Sequence, residues 1–382
     1  MKAIAALHRG IFVAALASLV GGAPALAATF VYVANADDGD IGTYRLQDSG
    51  DLQEIARVKA AGVVMPMVVS PDQRFLYAAS RAKPYTVFTY GINPGTGALT
   101  QLSASPLAES FPYISLDKTG RFLLGASFGG NLVSVNVVSS DGRVSAEPVQ
   151  VIPVGRFAHS IRVDESNKFV YVPSLGSDQI FMFTFDAKSG MLASNTPAIY
   201  LEKRGSGPRH FATSADNRFL YALTEMTGTV TTLALDGKTG LLTEVSVASG
   251  LPPDTNLTPG EVRIPPAPNM RPRNTEKDIW AADIHLAPNG KFMFVSERTN
   301  DTLTTLGVDA ATGKLTFLSS TKSERQPRGF AVDPKGRFLV ATGEKSETVS
   351  VYAIDSANGS LKFINKAPTG KGANWVEIVS FD

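Results

Sequence analysis

Two markers recur along this chain at a nearly constant interval, and any fold it adopts must accommodate both. A Gly followed two residues later by Leu or Val occurs at Gly50/Leu52, Gly97/Leu99, Gly142/Val144, Gly190/Leu192, Gly240/Leu242, Gly313/Leu315 and Gly359/Leu361. A strand-like segment opening with Phe occurs at Phe30, Phe75, Phe122, Phe169, Phe219, Phe292 and Phe338, and all but Phe30 follow a Lys or Arg. Successive Phe spacings are 45, 47, 47, 50, 73 and 46 residues. Self-similarity of this length in short β segments means a unit that cannot bury its own face and must stack on its neighbours. About four strands per unit gives the blades of a propeller.

Each unit reads in the same order. An inner strand ends in a turn such as Pro71-Asp72-Gln73 or Pro334-Lys335-Gly336. The Phe strand follows, then an alternating strand such as Thr86-Val87-Phe88-Thr89-Tyr90, then a Gly turn and a fourth strand. The chain ends in Trp375-Val376-Glu377-Ile378-Val379, which reads as an inner strand with nothing after it, whereas Phe30 opens a unit that lacks one. Together the fragments complete one blade and leave no open edge. The expectation is an all-β, seven-bladed β-propeller, a single domain over residues 28–382 closed by strands from both termini. The 73-residue interval holds a Pro- and Asn-rich stretch at about 251–278 without strand periodicity. It reads as an inserted surface loop, either idle or a lid on a binding face.

Residues 1–27 have a different character. Lys2 and Arg9 precede the apolar run Ile11–Val20, and Ala25-Leu26-Ala27 has the small-x-small pattern of a cleavage site. This predicts a signal peptide cleaved after Ala27, hence a periplasmic or secreted protein with no membrane association after cleavage. A formal charge of +1 leaves no electrostatic footprint for a nucleic-acid partner. The absence of cysteine excludes disulfides and thiol nucleophiles.

The repeat register also sorts the charged residues. Six positions after each repeat Phe stand Ala36, Arg81, Phe128, Leu175, Glu225, Arg298 and Glu344. Nine positions before the repeat Lys or Arg stand His159, Arg209 and Arg328. The end of a Phe strand and the start of its inner partner share one rim. So His159, Arg209, Glu225, Arg298, Arg328 and Arg81 are expected around one mouth of the central channel. Either they pair across blades and solvate the mouth, or they form a site. The stretch Gly207–Glu225 supplies both a cation and an acid. His210 should point away from Arg209 along a regular strand. His210, His285 and Asp283 read first as packed or hydrogen-bonded residues; His210 and Asp283 are also candidate substrate contacts.

The chemistry open to such a set is narrow. There is no Gly-rich phosphate loop and no Gly-x-Ser-x-Gly elbow, and three dispersed histidines after residue 27 do not suggest a metal site. Arginines bind carboxylate or phosphate and hold a developing oxyanion. His159 or Glu225 can take a proton from water. The set fits addition of water to an activated acyl group of an anionic or polyhydroxy substrate, with no metal or cofactor. A non-catalytic propeller binding a small anion or a protein through the same mouth is the alternative.

The segments Met65-Pro66-Met67-Val68-Val69-Ser70-Pro71-Asp72, Ala158-His159-Ser160, Gly207-Pro208-Arg209-His210, Trp280-Ala281-Ala282-Asp283-Ile284-His285 and Gln326-Pro327-Arg328-Gly329-Phe330 resemble the seven-bladed propeller lactonases. These include the bacterial 6-phosphogluconolactonases and, more distantly, the fungal carboxy-muconate cyclase. The resemblance spans nearly the whole chain after residue 27. It implies hydrolysis of a small sugar-acid lactone without a metal, or in the cyclase branch lactone closure on an unsaturated diacid. It also implies a rim set of one His, two Arg and one Glu, matching His159, Arg209, Arg298 and Glu225. The predicted leader departs from the cytosolic 6-phosphogluconolactonases and points to an unphosphorylated aldonolactone.

Overall fold

The computed structural model describes residues 28–264 and 272–381; the predicted leader lies outside them. The strands form seven four-stranded antiparallel sheets. Six sheets are continuous in sequence and begin with the inner strands Val64–Val69, Tyr113–Leu116, Arg162–Val163, Pro208–Thr213, Ala281–Leu286 and Phe330–Val332. The seventh joins the two ends. Ala373–Phe381 is its inner strand, paired to Ala28–Asn35 with Val31 opposite Ile378, and Asp40–Leu46 and Leu52–Lys59 complete it. The all-β, seven-bladed, doubly closed fold expected from the repeat is the fold observed.

The two sequence markers turn out to be halves of one contact. Gly97 meets the ring of Phe30, Gly142 that of Phe75, Gly190 that of Phe122, and Gly240 that of Phe169. Gly313 meets Phe219, Gly359 meets Phe292, and Gly50 meets Phe338, which brings the series back to its start. In every case the turn of one blade lies on the repeat Phe that opens or lies near the start of the second strand of the blade before it. The glycine is needed twice over. At Gly313 the backbone has φ of +71°, and an added Cβ would stand 2.6 Å from Phe219 Cδ1. The buried residues accordingly cluster between blades, as in Phe169, Tyr171 and Leu220 with Leu233 and Leu242.

The inner strands are not regular. Pro208 pairs with Thr224 but Phe211 with Ala222, so the inner strand carries one residue more than its partner over this interval. The same bulge recurs between Ala281 and Ile284, and between Val64 and Met67. Bulges re-aim side chains, and this one lies at the rim where the charged residues sit.

The interblade contact predicts a contrast between two turn glycines. Gly313→Ala should lose about 2–4 kcal/mol in urea unfolding, from left-handed backbone strain and overpacking on Phe219. Gly237→Ala, where an added Cβ meets nothing within 4 Å, should stay within about 0.5 kcal/mol. Equal effects would contradict the assigned role of the Gly–Phe pairs.

Candidate active site

The rim is built from strand ends. Glu225 follows the strand Phe219–Thr224, and its N–H donates to Gly207 O at 2.7 Å, which sets it beside Arg209. Its carbonyl accepts Ala281 N–H from the next blade at 3.0 Å. Arg298 follows Phe292–Glu297 in that next blade. Glu225 Oε2 then accepts from Arg209 Nε at 2.8 Å and from Arg298 Nη2 at 2.9 Å. Arg209 is 0% exposed, Arg298 2% and Glu225 5%. Two buried guanidinium groups therefore share one carboxylate oxygen. Burial, then the charges of Arg328 and Arg298, pull Arg209 well below its ordinary range; burial pulls Arg298 down to about 10. Both remain cations at neutral pH, so the cluster carries excess positive charge with little solvent to screen it.

His159 and Arg328 join from two further blades. His159 N–H donates to Pro173 O at 2.9 Å, and its ring lies 5.2 Å from that of His210. Burial, then the charges of Arg209, His210, Arg328 and Arg298, hold His159 well below 6.5, so it is neutral at pH 7. Arg328 Nη1 stands 3.7 Å from Glu344 Oε1. Arg81 is held by Ser110 Oγ at 3.2 Å and is pulled down to about 10 by burial and then by the charge of Arg328. Three buried polar atoms in this group make no hydrogen bond among the described residues: His159 Nδ1, Arg209 Nη2 and Arg328 Nε. Unpaired buried donors and acceptors are rare and costly. Here they belong to neighbouring side chains at one channel mouth.

His210 departs from the expected alternation. The bulge turns it to the same side as Arg209, whose Nη1 reaches His210 Nε2 at 3.2 Å. Its Nδ1 lies 2.8 Å from Asp283 Oδ1. A regular strand would have placed the two side chains on opposite faces; the extra residue removes that alternation. His210 also touches Tyr113 and Trp375, at ring separations of 4.9 and 6.1 Å. A cavity of about 390 Å³ opens on the far side of this layer, lined by His210 and Asp283 themselves and by residues further along the inner strands, including His285, Phe330 and Glu377. Asp283 thus sits below the rim, within the channel wall.

One rim residue escaped the repeat register because it lies in the insertion. Arg263 stands 3.6 Å from the ring centre of Trp280, and Arg298 stands 3.7 Å from it. Two guanidinium groups that close to one indole must lie on opposite faces. The described ends of the insertion are tied down beside them: Gly260 N–H donates to Met226 O at 2.8 Å, and Arg273 pairs with Asp278. The only signals in the sequence were the Trp and a loop Arg, with no spacing to join them.

A seven-bladed ring with a buried cationic mouth defines the class, and comparison with known proteins gives the family. The model for "Lactonase, 7-bladed beta-propeller" matches residues 29–378. The chain is 35% identical to a 6-phosphogluconolactonase of Serratia proteamaculans over 350 residues, 92% of this chain and 98% of that one. It is 34% identical to a 6-phosphogluconolactonase of Pectobacterium carotovorum, covering 92% and 99%. Among solved structures it is similar to the Pseudomonas aeruginosa periplasmic gluconolactonase, with a TM-score of 0.79, 25% identity, and 92% and 99% of the two chains covered. The chain belongs to the lactonase family of seven-bladed β-propellers.

Among the described residues Glu225 is the one carboxylate that Arg209 and Arg298 share, so Glu225→Ala should cost about 3–5 kcal/mol of stability. Glu344→Ala, at the half-buried end of a 3.7 Å pair, should cost less than about 1 kcal/mol. Chemical denaturation of both variants checks this.

Proposed function

We propose that the rim hydrolyses the intramolecular ester of a sugar-acid lactone. The protein is on this reading a carboxylic-ester hydrolase with His159, Arg209, Arg298 and Glu225 as its working residues. The observation that carries the proposal is a pair of buried atoms without a partner among the described residues, Arg209 Nη2 and the Nδ1 of a neutral His159, in two residues close enough for the Arg209 charge to act on His159.

The chemistry follows from those two atoms. Arg209 Nη2 donates to the lactone carbonyl oxygen and stabilises the oxyanion that forms there. His159 accepts a proton as water adds to the carbonyl carbon. When the ring C–O bond breaks, the resulting imidazolium gives that proton to the leaving alkoxide, and an open hydroxy acid is released. Glu225 anchors Arg209 and Arg298; its Oε2 already accepts from both guanidinium groups, which favours His159 over Glu225 as the base. Arg328, with Arg81 behind it, supplies further positive charge for the anionic product, and burial of the mouth strengthens each of these interactions.

For the substrate, the proposal is an unphosphorylated aldonolactone met after export. The leader-like pattern in residues 1–27 and the likeness to a protein named a periplasmic gluconolactonase support this. Among the described residues no helix is long and apolar enough to cross a membrane. The names of the curated relatives favour the phosphorylated lactone instead. Proton release from glucono-1,5-lactone and from 6-phosphogluconolactone, corrected for spontaneous hydrolysis, separates the two. The expected result is a higher kcat/KM on the unphosphorylated lactone; the reverse order assigns the phosphorylated one. No rate above background on any lactone would leave a binding propeller.

His159→Gln should lower kcat by about 10²–10⁴-fold. The base must be neutral, and its pKa is held well below 6.5. The rate should therefore persist as pH falls past 6.5 and be lost only at the lower, perturbed pKa. An acidic limb of kcat/KM at or above pH 6.5 would exclude His159 as that base.

A further inference from the structure

One hydrogen-bonded chain runs from the rim into the opposite half of the channel. Glu225 Oε2 accepts from Arg209 Nε at 2.8 Å; Arg209 Nη1 meets His210 Nε2 at 3.2 Å. His210 Nδ1 meets Asp283 Oδ1 at 2.8 Å, and Asp283 Oδ2 meets His285 Nε2 at 3.1 Å. The protons along this chain can be assigned. Burial would raise the Asp283 carboxyl, but the His285 charge and the hydrogen bonds of His210 and His285 override it and hold it well below the carboxylate range. Asp283 is therefore ionised and only accepts. It also takes Ile284 N–H on Oδ1 at 3.0 Å, while its own N–H donates to Ser296 Oγ at 3.0 Å. Burial and the Arg209 charge bring His210 down to about 3, so its ring is neutral and holds one proton. That proton must sit on Nδ1, facing the carboxylate. Nε2 is then a bare lone pair, and Arg209 Nη1 can donate to it.

The consequence falls on Arg209. Its Nε is spent on Glu225, and its Nη1 on His210 and on Ala282 O. Nη2 alone has no partner among the described residues. A guanidinium is a rigid plane, so fixing two of its nitrogens fixes where the third points. We propose that Asp283 is a positioning residue: it sets the His210 tautomer, and that tautomer aims Arg209 Nη2 at the lactone carbonyl. The proposal rests on the lactonase reading of the rim. It moves His210 and Asp283 from substrate contacts to a support one and two shells of hydrogen bonds behind Arg209.

Asp283→Ala tests it. Removing the carboxylate leaves His210 Nδ1–H without its acceptor, so the imidazole proton is free to move to Nε2, where it opposes the N–H of Arg209. With only four histidines in the chain, long-range ¹H–¹⁵N correlation spectra can read each tautomer directly. The expected result is an Nδ1–H tautomer for His210 in the wild type and loss of that fixed tautomer, with Nε2–H populated, in the folded variant. kcat on the preferred lactone should fall about 10–100-fold, as for lost support of a working group, with KM changing less. A wild-type His210 protonated on Nε2 overturns the proposal, and that reading needs no variant to fold. So does a folded Asp283→Ala protein with the changed tautomer and a kcat within about threefold of wild type. If the wild type hydrolyses no lactone, the functional reading fails, while the tautomer measurement still decides the assignment of the chain.

Discussion

The packing of each turn glycine on the preceding blade's Phe is the interaction on which the rest of this structure depends. It repeats at every interface, from Gly97 on Phe30 round to Gly50 on Phe338. A four-stranded sheet has two faces and only modest stability alone; the Phe ring and the glycine that admits it fix how far apart adjacent sheets stand and how they are turned. Because the series closes on itself through Ala28–Asn35 and Ala373–Phe381, the inner strands are held in a ring whose radius none of them sets individually. Side chains from separate blades can then be brought within hydrogen-bond distance of one another.

That rigidity is what tolerates the rim. Arg209 and Arg298 on a single carboxylate oxygen, with Arg328 and a neutral His159 close by, is an unfavourable arrangement in isolation. It persists because bulged inner strands and strand-end hydrogen bonds, such as Glu225 N–H to Gly207 O and Ala281 N–H to Glu225 O, leave the side chains nowhere else to go. An anionic or oxyanion-forming ligand relieves the excess charge. On the proposed reading it would also weaken the field that holds His159 down, raising that residue's affinity for a proton as water attacks the carbonyl. Binding and base strength would then be linked by the same charges.

Much of this was legible in the residues. The Phe and Gly spacings specify blade number and the split final blade, and the register columns place Arg209, Glu225, Arg298, His159, Arg328 and Arg81 on one mouth. What they could not convey was aim. The column count treats strands as regular, so it sent His210 away from Arg209, and a one-residue bulge reversed that. Whether Glu225 or His159 was the base also lay beyond a count of positions. The proposed choice of His159 rests on the two guanidinium groups that already occupy Glu225 Oε2. Arg263 was out of reach because the insertion has no register, and its partnership with Trp280 exists only in three dimensions.

On the proposed reading the acyl group of the substrate lies against Arg209, within reach of His159. A crystal structure of the protein with gluconate, the open acid that hydrolysis would release, tests this most directly. The predicted result is a carboxylate oxygen within hydrogen-bond distance of Arg209 Nη2, with His159 Nδ1 facing the same group. Gluconate bound instead in the cavity beside His285 and Glu377, or absent from the rim at saturating concentration, would contradict it.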